Sequence, residues 1–116
     1  MIVEYYERSD GSMPAEEFIL AQPAKMKAKI LRNLLLLESL GPSLREPYSA
    51  SLGDGIFEIR TKLGSDITRV LYFFFAGEKA VLTNGFVKKT QKTPREELDK
   101  ARSYRDDYLK RGGSIV

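Results

Sequence analysis

The chain contains no cysteine and no histidine. Without cysteine there are no disulfides and no thiolate chemistry; without histidine the commonest general base and the commonest zinc ligand are both missing. Any catalysis is therefore left to lysine, arginine, tyrosine, aspartate, glutamate or a hydroxyl. Long apolar runs are absent too. The leucine run Leu34 to Leu37 falls far short of the ~20 residues that cross a bilayer, and Met1 to Tyr6 has neither the basic flank nor the apolar stretch of a secretory leader. A cytoplasmic protein is expected, with no membrane partner. The carboxylates Asp54, Glu58 and Asp66 lack the spacing of a metal loop, and Gly53, Gly55 and Gly64 form no phosphate-loop or dinucleotide pattern, so neither a metal nor a nucleotide cofactor is expected.

What is present fits one globular domain over residues 1–116: 42% of the residues are hydrophobic and 30% charged, enough for a core without covalent staples. The net charge of +3 is compatible with an acidic partner but does not demand one. Its distribution says more. From Arg60 to Arg95 there are eight basic residues (Arg60, Lys62, Arg69, Lys79, Lys88, Lys89, Lys92, Arg95) against Asp66 and Glu78, a net of +6, while the rest of the chain is net acidic.

Ile2 to Tyr6 reads as a strand, stopped by the turn-forming pair Asp10-Gly11. Ser12 or a neighbour is placed to cap a short helix reaching about Ala21, with Pro14 in its first turn and Glu16 and Glu17 at the end that favours negative charge. After Pro23, Met26, Ile30, Leu34 and Leu37 recur at helical steps, predicting an amphipathic helix that ends at Gly41-Pro42. Pro42 to Asp54 reads as a connecting loop. From Ile56 the period becomes two, with Phe57, Ile59, Thr61 and Leu63 on one face and Glu58, Arg60 and Lys62 on the other. Turns at 63–66 and 76–78 separate this strand from Ile67 to Phe75 and then Ala80 to Val87. Thr93-Pro94-Arg95-Glu96 predicts a helix start, with Thr93 as N-cap, Pro94 at the first helical position and Glu96 closing a capping box; the helix runs to about Lys110.

Two constellations could carry chemistry. If the turn after Leu63 pairs Lys62 with Ile67, Arg60 stands opposite Arg69, and like charges opposed across strands call for an anion between them. The competing reading has both arginines solvated and paired with Glu58 or Asp66. The second is Gly85-Phe86-Val87-Lys88-Lys89-Thr90-Gln91-Lys92-Thr93-Pro94, where lysines, a hydroxyl and an amide precede a helix N-terminus and offer donors to phosphate oxygens; an ordinary solvated loop is the alternative. Tyr5, Tyr6, Tyr48, Tyr72, Tyr104 and Tyr108 could stack on bases or move protons, but their spacing equally suits core edges and singles out none of them.

Leu52 to Arg60, Arg69-Val70-Leu71-Tyr72-Phe73 and the Gly85 to Pro94 string together resemble the three signature blocks of the phage-derived HigB-like branch of the RelE/ParE toxin superfamily. The resemblance implies an α+β fold, with N-terminal helices packed on one face of a twisted, mostly antiparallel sheet, a concave basic face and a C-terminal helix. It also implies the toxin of a type II toxin–antitoxin pair, a metal-independent endoribonuclease that cuts messenger RNA at the ribosome, restrained by a small helix-turn-helix antitoxin encoded beside it. Relatives in the ParE branch inhibit DNA gyrase instead, and a non-catalytic module docking on nucleic acid or the ribosome is a third possibility.

By position, the resemblance carries a catalytic role to Arg60, Lys62, Arg69 and Lys88 or Lys89, and the loop residues Thr90, Gln91 and Lys92 with Arg95 become RNA contacts. The reaction implied is attack of a ribose 2′-OH on the adjacent phosphate, with Arg60, Arg69 and one of the two lysines stabilising the phosphorane. Relatives often place a tyrosine or histidine near the last strand; here that loop holds Thr90 and Gln91. The general base stays open between Lys62 and Tyr72, although Tyr72 shares its strand face with Val70 and not with Arg69.

Overall fold

A computed structural model describes residues 1–112. In chain order the elements are β1 (Ile2–Tyr5), α1 (Pro14–Leu20), α2 (Ala24–Leu40), a single 3-10 turn (Gly41–Ser43), β2 (Ser49–Gly53), β3 (Ile56–Leu63), β4 (Asp66–Phe75), β5 (Lys79–Val87) and α3 (Arg95–Lys110). The five strands form one sheet in the order β1-β5-β4-β3-β2, antiparallel throughout except for the parallel pair β1 and β5. The fold is α+β, as expected.

Strand alternation divides the side chains between two covers. Ile59, Val70, Tyr72, Ala80 and Leu82 pack with Ala15 and Ile19 of α1 and with Met26, Ile30, Leu34 and Leu37 of α2. On the opposite face, α3 lays Ala101 against Ile56, Leu71 and Phe86, and Tyr108 against Tyr6, Phe73 and Val81. β4 lies between both layers, which is why residues 68–73 are all buried. Burying such side chains contributes roughly 1.5–3 kcal/mol each, so these two interfaces dominate the stability of the fold.

Two local devices keep β5 in register with both layers. Asn84 faces Leu71 and Leu82 faces Tyr72, so Thr83 is an extra residue, a bulge whose hydroxyl donates to the Leu71 carbonyl at 3.2 Å. The bulge lets Val81 and Asn84 both point toward α3, where the Asn84 amide donates to the Glu97 carbonyl and carboxylate at 3.1 Å each. Gly85 then passes beneath α1 so closely that a Cβ there would lie 2.3 Å from Cδ2 of Phe18.

Several sequence expectations are corrected. The stretch from Pro42 to Asp54 is not all loop, because Ser49–Gly53 pairs with β3 as an edge strand. Its serines and glycine carry no strand signal, and backbone pairing to β3 supplies what composition does not. Ser12 does not cap α1, because its hydroxyl donates to Asp10 at 2.6 Å; the residue before the helix is Met13, whose N–H donates to Glu17 at 2.9 Å. Thr93 is not the N-cap of α3 and closes no capping box with Glu96. Pro94 occupies the cap position and the Thr93 hydroxyl turns to a buried carboxylate instead. Among the described residues no helix is long and apolar enough to cross a membrane.

Candidate functional site

The β3–β4 register is the one supposed above for a tight turn after Leu63: Lys62 faces Ile67 and Arg60 faces Arg69. On the neighbouring pair, Arg69 faces Phe86, and the Lys88 N–H continues the ladder to the Ile67 carbonyl at 2.8 Å. With side chains alternating, Glu58, Arg60 and Lys62 of β3, Arg69 of β4 and Lys88 after β5 all emerge on the α3 side of the sheet, beyond the N-terminal end of that helix. Four cations from three separate chain segments share one face.

The anion between the opposed arginines comes from the protein itself. Glu58, 1% exposed, accepts from Nε of Arg60 at 2.9 Å through Oε2 and from the Thr93 hydroxyl at 2.8 Å through Oε1. Arg69 brings its Nε within 3.2 Å of the same Oε2, an ion-pair contact without hydrogen-bond alignment, and donates from Nη1 to the Thr68 carbonyl at 3.2 Å. Of the two readings that the sequence left open, pairing with Glu58 is what the geometry shows, but Arg69 is not solvated: it is 7% exposed. Burial lowers its pKa and Glu58 opposes that shift; a guanidinium stays charged regardless. Arg60 is only partly covered and reaches outward with Nη1 to Glu46 at 3.1 Å, a carboxylate 74% exposed.

Lys88 is half-buried beside this cluster. Burial lowers its ammonium pKa first and repulsion by Arg69 and Arg60 adds to the effect, with Glu58 opposing. A depression of about 410 Å³ is lined by Glu58, Arg60, Lys88, Gln91, Lys92 and Thr93 among others; an adjoining one of about 380 Å³ is lined by Ile67, Lys88, Lys89, Thr90 and Gln91. Lys88 and Gln91 border both. The Thr90 hydroxyl donates to the Lys92 carbonyl at 2.7 Å, shaping the loop. Lys62 is exposed further along β3, Lys89 and Lys92 are exposed in the loop, and Arg95 is exposed at the first residue of α3.

Tyr72 lies on the other side of the sheet, buried between Phe57 and Phe74, its hydroxyl 2.5 Å from that of Ser49 and its pKa raised by burial. It is a core residue with no route to the cation face. Among the described residues no three His, Cys, Asp or Glu side chains are placed to hold a metal ion.

A family model described as Phage derived protein Gp49-like matches residues 17–106, a span that contains every residue of the cation face. The chain belongs to the Gp49-like family. This is a family of RelE-like toxins of toxin–antitoxin systems. A comparison with curated proteins finds no match. In this Gp49-like chain the blocks that made the sequence recognisable build the site together: Gly53 and Gly55 turn β2 into β3, Arg69 precedes the buried Val70-Leu71-Tyr72, and Gly85 lets the Lys88 to Thr93 loop start from a strand packed tightly on α1. The sequence offered Glu58 only as one of two pairing partners for the arginines and Thr93 only as a helix cap, and gave no role to Glu46. For Glu58 the signal was present, since it stands two residues from Arg60 on the same strand face; for Glu46 and Thr93, far away in sequence, there was none.

Proposed function

We propose that this chain is the toxin of a type II toxin–antitoxin pair, of the phage-derived HigB-like branch, and that it cuts messenger RNA on the ribosome. The observation that carries the reading is the gathering of Arg60, Arg69 and Lys88, from three separate chain segments, on one sheet face beside the Lys88 to Thr93 loop. A phosphate drawn to this face meets guanidinium nitrogens on one side and an ammonium on the other. In this scheme those cations stabilise the charge that develops as a ribose 2′-OH gives up its proton and attacks the adjacent phosphorus, while the bond to the 5′-oxygen of the next nucleotide breaks and that oxygen takes up a proton, leaving a 2′,3′-cyclic phosphate and a 5′-hydroxyl; no metal ion takes part. Lys88, whose lowered pKa brings it nearer to neutrality, is the group best placed to move a proton, with Lys62 at the rim of the face. Lys89, Thr90, Gln91, Lys92 and Arg95 hold the flanking RNA backbone.

The partners in this reading are the ribosome with its message and an adjacently encoded helix-turn-helix antitoxin. Brief induction in growing cells, followed by mapping of transcript 5′ ends, tests it. New ends in register with the reading frame, growth arrest and rescue by the neighbouring gene support a ribosome-dependent nuclease. Arrest without cuts assigns a docking module, and DNA damage assigns a gyrase inhibitor.

A further inference from the structure

Phosphate binding and charge stabilisation fall to the cations and give Glu58 no part, although among the described residues it is the most buried charged side chain. We infer that Glu58 is a positioning residue, which holds Arg60 and Arg69 by their Nε sides and anchors the Lys88 to Thr93 loop through the Thr93 hydroxyl, so that the outer guanidinium nitrogens meet a phosphate at a set spacing. The inference rests on the reading of this face as an RNA site.

The geometry separates two kinds of anion contact. Oε2 of Glu58 lies 2.9 Å from one Nε and 3.2 Å from the other, so one buried atom ties both strands' arginines, and Oε1 ties the loop. Glu46 instead touches Arg60 at the terminal Nη1 from an exposed position, the side from which a phosphate arrives. Glu46 can be displaced by an incoming phosphate; Glu58, enclosed behind the arginines, stays. A stabilising role alone accounts poorly for the arrangement, since buried ion clusters can often be replaced by apolar side chains without loss of stability.

Nitrogen-15 NMR of the arginine Nε–Hε groups tests this on the unaltered protein, with Arg60→Lys and Arg69→Lys supplying the assignments. Both Hε signals should be resolved and slow to exchange, and should stay so when a single-stranded RNA oligonucleotide is added. Release of either signal by RNA overturns the inference. Glu58→Gln keeps the shape and an acceptor for Thr93 but removes the charge. It should broaden both Hε signals and tighten RNA binding with a salt slope steeper by about 0.7, yet slow cleavage on the ribosome by about two powers of ten. Glu58→Asp should recover part of the rate. Unchanged Hε signals in Glu58→Gln, or a lower melting temperature with unaltered affinity and rate per folded molecule, contradict the assignment. Should the parent neither bind nor cut RNA, the functional reading fails while the Hε signals still decide what Glu58 holds.

Discussion

Arg60 and Arg69 face each other across two strands but are held differently, and the difference governs what each substitution reports. Arg69 is enclosed and its charge opposes a buried carboxylate, so Arg69→Ala should lower stability by about 3 kcal/mol, the low end for breaking a buried pair because Arg60 and Thr93 still contact Glu58. Arg60 is partly exposed, and Arg60→Ala should cost about 1 kcal/mol. Chemical denaturation of the two variants checks the order; equal costs would mean that burial does not distinguish them. The opposition of the arginines was legible because a period of two and a short turn leave few registers. The choice of Glu58 over Asp66 as their partner was not, nor was the contact from Thr93, which carries the local signature of a helix cap and meets the Glu58 carboxylate only in the folded sheet.

Elements here are positioned by contacts that sequence patterns do not encode. A period was readable over β3 and α2, turn signals bounded β4 and β5, and a start signal opened α3, but β2, the Thr83 bulge and the face that α3 covers depend on pairing partners remote in the chain. Gly85 illustrates how one residue fixes the seat of an element. Gly85→Ala would force the Phe18 ring aside near its root and should destabilise the protein by about 1–3 kcal/mol, with Phe18→Leu in the same chain recovering part of the loss in urea denaturation. Loss without recovery would place the strain elsewhere. The C-terminal half of α3 is tied down by Tyr6, whose hydroxyl donates to Asp107 at 2.6 Å, whose ring stacks on Tyr104 at 4.8 Å, and over which Arg111 lies at 5.7 Å. Burial and the Asp107 carboxylate push the Tyr6 phenol up to about 12. Its unfolded pKa is about 10, so between these values the folded state keeps a proton that the unfolded chain releases. This contribution to stability is therefore complete below pH 10 and is lost as pH rises toward 12. Stability measured against pH should fall across that window, and Tyr6→Phe should flatten the fall; an identical alkaline profile for Tyr6→Phe would remove Tyr6 from the account.

At the scale of the whole molecule, a net charge of only +3 hides a segment of +6, and the fold turns that sequence asymmetry into a face. The asymmetry was legible in the sequence; that Lys88 joins Arg60 and Arg69 on one side, with Glu58 buried behind them, became visible only with the sheet assembled. Affinity for single-stranded RNA should decline linearly in logarithmic salt, by roughly 0.7 of a logarithm per phosphate contact, and a salt-independent affinity measured by fluorescence anisotropy would point to a protein target.

The central claim, that this face cuts messages on the ribosome, is tested most directly by incubating the purified chain with ribosomes carrying a defined message and following cleavage. The parent chain should cleave the message, and Arg60→Ala, compared at equal folded concentration, should do so at a rate about two powers of ten lower. An intact message with the parent, or an Arg60→Ala rate equal to the parent's, would contradict it.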